Sequence, residues 1–339
     1  MGFRSTAVRE SVTMAPMLRE SVTLDTVDRS VLHALSLDGR ASFARIGEVL
    51  GVSDRTVARR FARMRESGLV RLVGAVDAGR LGGDQWIIRV HCQPGSASEV
   101  AVALARREDT RWVHLLSGGT EISASIQSWS TEERDELILQ RLQRTAPVVS
   151  VTAHNVLHIF GGGPHGLGGV SPLTPEQTAA LRPGYEGGGT AGTAVLTDAD
   201  RPLLQALARD GRAPYPELAA ATGWSESTVA RRIGTLRASG LLYFDLDVDS
   251  TALGYRTDAR LWATVSPSHL AETGNAIAAH PEVAFCAATT GPTNLLVTAV
   301  CRDGKDLYRY LTERIGALPL REVETAPVIR TVKRAGAYP

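Results

Sequence analysis

Two segments of this chain carry the side chains best placed to do chemistry. "DRTVARRFARMRESGLV" runs from Asp54 to Val70 and "ESTVARRIGTLRASGLL" from Glu226 to Leu242. Nine of 17 positions match, each 172 residues from its partner. Read as helices, Val57, Phe61 and Met64 form one apolar stripe, and Val229, Ile233 and Leu236 form its copy. The outward positions are then Arg55, Thr56, Arg59, Arg60 and Arg63 on the first helix, and Ser227, Thr228, Arg231, Arg232 and Thr235 on the second. Arginine pairs with guanine edges in the major groove, and a threonine methyl meets the thymine methyl. Further arginines neutralise phosphates and hold register. The chemistry expected of these faces is recognition of double-stranded DNA. A merely solvated basic face would have no reason to recur.

Other reactive types do not assemble. Cys92, Cys286 and Cys301 are scattered without metal-ligand spacing, which points to a reducing, cytoplasmic setting. His91, His114 and His158 fall in the expected sheet with His154 nearby, where a spacing of four does not bring His154 and His158 to one metal on a strand. "GGGPHGLGG" lacks the lysine and the strand–helix frame of a phosphate loop. No nucleophile–base–orienter set can be drawn. The expectation is a protein that is no enzyme, with no cofactor, metal site or catalytic residue.

The elements that position the arginine faces emerge from the repeat. Leu24–Val70 matches Leu196–Leu242 without a gap, at 21 of 47 positions. The chain of 339 residues carries a net charge of +1, so global electrostatics name no partner, and its 43% apolar residues suffice for packed cores. The expected order is a disordered tail over 1–23, a helix-turn-helix domain over 24–76, a sheet module over 85–160, a Gly-rich linker over 161–193, a second helix-turn-helix domain over 196–248 and a second sheet module over 257–335. The tail lacks the apolar run of a secretory signal.

Within each head, "DGR" at 38–40 ends the first helix with Gly39 as the stop, Ser42 caps the second, and Ser53 caps the third. Ser225 repeats the last cap, while Pro214 and Pro216 start the second copy's middle helix differently. Each sheet module reads as β-α-β-β-α-β, the ferredoxin-like order. Such a sheet carries helices on one face only, so its other face needs a cover. The expected cover is the other sheet module, within the chain or between chains, which implies a homo-oligomer or an internal pair.

These segments resemble the Lrp/AsnC (feast/famine) transcriptional regulators. "HPEVAFCAATTGPTNLLVTAV" at 280–300 and "LTERIGALPLREVETAPVIRTVK" at 311–333 look like that family's ligand-sensing module. The resemblance implies an α+β chain of two winged helix-turn-helix domains and two ferredoxin-like domains in tandem order. It also implies a sequence-specific DNA-binding regulator modulated by an amino acid or other small metabolite. The family's ligand turn maps onto Gly118–Glu121 and Gly291–Asn294, where Gly118, Glu121, Gly291 and Asn294 would touch the effector; the family's aspartate is absent from both. Some siroheme decarboxylases resemble the same tandem fold, which makes a tetrapyrrole enzyme the alternative reading.

Overall fold

The structure, a computed structural model, describes residues 24–77, 85–107, 109–127, 135–162, 172–182 and 194–334. The expected tail lies outside them. The first head is α1 (Thr26–Leu37), α2 (Phe43–Leu50) and α3 (Asp54–Glu66), followed by β1 (Val70–Val76). The first sheet module comprises β2 (Gln85–Cys92), α4 (Ala97–Ala105), β3 (Thr110–Leu116), β4 (Glu121–Gln127), the π-wound segment α5 (Glu136–Arg141) and β5 (Val148–Gly161). A connecting helix, α6 (Pro175–Leu181), leads to the second head. That head is α7 (Arg201–Arg209), α8 (Tyr215–Thr222) and α9 (Glu226–Ala238), followed by β6 (Leu242–Val248). The second sheet module comprises β7 (Thr257–Val265), α10 (Leu270–Ala278), β8 (Val283–Thr289), β9 (Leu295–Cys301), α11 (Gly304–Arg309, continued as a π turn to Ile315) and β10 (Leu320–Lys333).

The heads form for local reasons. The Ser42, Ser53 and Ser225 side chains accept hydrogen bonds from the backbone N–H groups of Arg45, Thr56 and Thr228, satisfying otherwise orphaned donors. Asp25 and Asp28 close a capping box on α1. Val57, Phe61, Met64, Val229, Ile233 and Leu236 are all buried.

The two heads share one apolar core, because β1 pairs antiparallel with β6, from Val70↔Val248 to Val76↔Leu242. The strand after each third helix therefore closes no local wing hairpin; it joins the other copy. This pairing also corrects the role of Gly39. It has no left-handed backbone, and an added Cβ would lie 2.6 Å from the Phe244 Cβ on β6. Gly211 meets Leu72 and Phe244 in the same way. Both glycines serve close approach of each turn to the ribbon.

The "DGR" turns cross at this point. Arg40 donates to the carbonyls of Gly211 (2.8 Å) and Ala213 (3.2 Å), and Arg212 donates to those of Gly39 (2.7 Å) and Ala41 (3.1 Å). Arg40 also lies over the Tyr215 and Phe244 rings, and Arg212 over the Phe43 ring. Burial, with Arg40 nearby, pulls Arg212 down to about 10, so it stays charged at neutral pH. Asp38 and Asp210 compensate. Asp38 accepts from Arg237 of α9 at 2.6 Å, and Asp210 faces Arg65 of α3 at 3.4 Å.

The segment expected as a linker is partly structured. Thr174 and Gln177 form a capping box on α6, and Leu173 and Leu181 are buried in the shared core of the heads. Gln177 Nε2 donates to the Val49 carbonyl, and Arg45 donates to the Ala180 carbonyl at 2.6 Å. Residues 163–171 and 183–193 of that expectation lie outside the described residues.

The sheet modules follow the expected β-α-β-β-α-β order, with strands running 5-2-4-3 in the first and 10-7-9-8 in the second. The two sheets join edge to edge, β3 with β10 and β5 with β8, into one closed barrel. Helices cover the outside and the two inner faces cover each other, so the modules pair within the chain.

Replacing Arg40 and Arg212 together by Ala should remove the four hydrogen bonds of the crossing at a cost of several kcal/mol, given about 1.5–3 kcal/mol for each bond to a charged group and their lack of additivity. Urea unfolding should show a lower midpoint; an unchanged midpoint would count against the crossing as the tie between heads.

Candidate nucleic-acid interface and interior cavity

The ten outward positions of the third helices divide into three sets. Arg55, Arg59, Ser227, Arg231 and Thr235 are exposed. Thr56 and Thr228 stand at the helix starts, where their hydroxyls meet those of the capping Ser53 and Ser225, each at 2.9 Å. Arg60 and Arg232, the second arginine of each "TVARR", are committed elsewhere. Arg60 pairs with Asp25 at 2.6 Å and Asp28 at 2.9 Å, and Arg232 makes two 2.6 Å bonds to Asp200. Arg63 is half-exposed and shares Asp28 at 2.5 Å. The Asp28 and Asp200 side chains are each only 1% exposed, so each needs its arginine.

Burial pushes the Asp200 carboxyl up, but bonds from Arg232 and Thr197 outweigh it and hold the group below the usual carboxylate value. The clamp thus ties the start of helix one to the middle of helix three in each head. The sequence carried a signal for it: "DR" recurs at 28–29 and 200–201, an acid kept at the same place on both first helices.

The two expected effector turns hold the barrel together. Each rests on the last strand of the other copy: Ser117 N–H donates to the Pro327 carbonyl, and Thr290 N–H to that of Asn155. Gly118 (φ 76°) and Gly291 (φ 107°) have left-handed backbones, and a Cβ on Gly291 would strike the His154 ring. Glu121 is buried and accepts from Arg89 at 2.8 Å, while Arg89 also grips Glu324 with two bonds. Asn294 bridges both backbone groups of Val265. Glu121 and Asn294 each have a separate structural partner.

The histidines also go to separate neighbours. His114 is bonded to Thr331 and stacked on Trp112, whereas His154 is bonded to the Thr290 carbonyl and set against Trp262. His158 meets Phe160 edge-on, and His91 sits opposite Glu121 in the β2–β4 register. Among the described residues, no group of three or more His, Cys, Asp or Glu is placed to hold a metal. All three cysteines are free and buried.

Sequence reasoning missed a cavity of about 550 Å³ bounded by the β1–β6 ribbon and the barrel interior. Its wall carries Arg260, 5% exposed, whose Nη1 donates to Thr298 Oγ1 at 2.5 Å and whose Nε has no partner. Burial pulls Arg260 down to about 10, partly offset by Asp258. Burial, with Arg260 and Arg334, pushes His114 well below its usual value and keeps it neutral. On the ribbon side, Asp247 pairs with Arg334 at 3.0 Å. Burial raises the Asp245 carboxyl to about 6; Arg111 opposes that rise and Asp247 adds to it.

Two duplicated heads on one ribbon, above two fused sheet modules, define the class: a tandem helix-turn-helix protein with an internal pair of sensing-type modules. A family profile for the AsnC-type helix-turn-helix domain matches residues 24–65 and 196–237, and one for the Lrp/AsnC ligand binding domain matches 259–338. The HTH-type transcriptional regulator FL11 of Pyrococcus horikoshii is 31% identical over 146 residues, covering 42% of this chain and 96% of that protein. The HTH-type transcriptional regulator Ptr1 of Methanocaldococcus jannaschii is 28% identical over 149 residues, covering 43% of this chain and 99% of that protein. The siroheme decarboxylase NirDL shares the whole-chain fold, with a TM-score of 0.60, 14% identity, 91% of this chain and 93% of that one. The chain belongs to the Lrp/AsnC family of helix-turn-helix transcriptional regulators. No helix among the described residues is long and apolar enough to cross a membrane.

Arg232→Ala should cost about 3–5 kcal/mol, because it leaves a buried carboxylate unpaired. Arg60→Ala should cost less, since Arg63 still reaches Asp28. Equal losses in chemical denaturation would contradict this division.

Asp245→Asn should raise the melting temperature at pH 7.5 by a few degrees. The folded chain holds a proton on Asp245 up to about pH 6 that the unfolded chain releases near 3.8, so stability falls as pH rises through that window. The advantage of the variant should therefore shrink as the pH is lowered from 7.5 to 5, and a pH-independent advantage would refute the assignment.

Proposed function

We propose that this protein is a sequence-specific transcriptional regulator that binds double-stranded DNA through α3 and α9, in the cytoplasm, under the control of a small metabolite. One observation carries the reading. Each third helix begins at a serine cap and presents threonine and exposed arginine side chains, Arg55 and Arg59 on one, Arg231 on the other. A capped helix of this kind, entering the major groove by its N-terminal turns, reads base edges while its flanking arginines meet phosphates. The crossing of the "DGR" turns supports it, because Arg65 and Arg237 anchor the far ends of both helices to the opposite copy. One chain would then present two heads at a set separation, the task that needs two chains when each carries a single head.

The alternative of a siroheme-decarboxylase-like tetrapyrrole enzyme is favoured by the shared whole-chain fold alone. The exposed arginines of both third helices and the dispersal of the four histidines favour the regulator.

The heads are unequal in this reading. Arg55 and Arg63 of the first head stand where the second has Ser227 and Thr235. Arg59→Ala and Arg231→Ala should each weaken DNA binding without unfolding the protein. Each should also lower the slope of log K against log salt by about 0.9 for every phosphate no longer neutralised. Removing Arg55 as well should reduce the slope further in the first head. An unchanged slope in the folded Arg59→Ala, Arg231→Ala double variant would overturn the reading, and a fully symmetric footprint would overturn the inequality.

A further inference from the structure

Glu121 and Asn294 each make structural bonds at the turns, and a separate place for an effector is found elsewhere. The cavity offers one. Two rows of side chains line it, one from each sheet. Ile87, Ser125 and Trp112 follow one another across β2, β4 and β3, and Arg260, Thr298 and Phe285 across β7, β9 and β8. Each row sets polar groups beside apolar ones. Three donors on the wall lack partners: Arg260 Nε, Arg111 Nη2 and Ser125 Oγ. One acceptor, Asp258 Oδ1, is also left over, while its carboxylate takes a 3.3 Å bond from Ser250.

A buried guanidinium without an ion-pairing carboxylate is costly unless an anion joins it. Among the described residues, no carboxylate lies within ion-pair distance of Arg260, whose side chain bonds instead to a neutral hydroxyl, and Asp258 offsets its charge only in part. The volume, about 550 Å³, lies within the range of small-molecule sites.

We propose that this cavity binds a small carboxylate with an apolar body, the carboxylate seated on Arg260 with Ser125 nearby, and the body held between Trp112 and Phe285. The proposal deepens the effector half of the proposed function and rests on it for its regulatory meaning, though not for binding itself. The same cavity is lined by Tyr243, Leu246 and Val248 of β6, so an occupant touches the ribbon that carries both heads.

The test is thermal unfolding of the full chain without DNA, in the presence of naphthalene-2-carboxylate, its uncharged carboxamide, or inorganic phosphate. The carboxylate at millimolar concentration should raise the melting temperature in a saturable way, as any ligand of the folded state does. The carboxamide should shift it far less, and phosphate should leave it unchanged. Arg260→Met should melt higher than the parent without ligand, since a buried and only partly compensated charge is gone, and should lose the response to the carboxylate. Ser125→Ala, a milder change, should fold and weaken the response several-fold, which keeps the proposal testable if Arg260→Met does not fold. No response of the parent protein to the carboxylate, an equal response to the carboxamide, a response to phosphate alone, or an undiminished response in either variant would each overturn the proposal. Because DNA is absent, failure here leaves the DNA-binding reading standing, and loss of DNA binding leaves this result untouched.

Discussion

The reciprocal crossing of the two "DGR" turns is the contact on which the rest of the molecule depends. Arg40 and Arg212 each reach into the opposite copy for backbone carbonyls, and Asp38 and Asp210 offset their charge. Glycines at 39 and 211 let the turns approach the β1–β6 ribbon closely enough for those bonds. The ribbon merges two small helical heads into one apolar core. A three-helix head of about 50 residues has little core of its own, and sharing one is a physical remedy for its size. Because Arg65 and Arg237 are drawn into the same crossing, the contact that stabilises the heads also orients their third helices.

The barrel solves the matching problem for the sheets. A four-stranded sheet with helices on one side exposes its other face and two edges, and pairing with its copy covers both at once. The interior so formed is not uniformly apolar. Ile87, Trp262 and Leu296 make a small apolar cluster, while Arg89 is neutralised by Glu121 and Glu324, one from each copy. Burial lowers the Arg89 guanidinium, but those two carboxylates outweigh it and raise it. Arg260 has no carboxylate bonded to it, and Asp258 offsets its burial only in part. The contrast between these two buried arginines sets a doubly bonded structural ion pair against a guanidinium bonded only to a hydroxyl.

The two copies share one clamp and differ around it. The clamp of Arg60 on Asp28 and of Arg232 on Asp200 was retained in both heads. The outward positions around it diverged, as did the second helices, where Ser42 caps one and Pro214 begins the other. The docked α6 adds a further asymmetry, since it packs on α1 and α2 of the first head through Leu173, Leu181 and the Arg45 bonds.

The heads, their caps, the strand–helix order of both modules and the duplication are legible in the residues alone. Those features depend on periodicity and on neighbours a few residues away: Ser53 bonds to Thr56, and Val57, Phe61 and Met64 share a face. Which strand pairs with which, why Gly39 is glycine, that part of the expected linker is a packed helix, and which arginine of "TVARR" is free were all settled by tertiary packing. Each of these turns on partners far apart in the chain, such as the 171 residues between Arg40 and Gly211. The cavity belongs to the same class. No local pattern marks Arg260 as unpaired, because its want of a partner is set by strands of both copies meeting around it. An outward arginine and a clamping arginine have the same helical phase to within one residue, and what separates them is a buried aspartate on another helix.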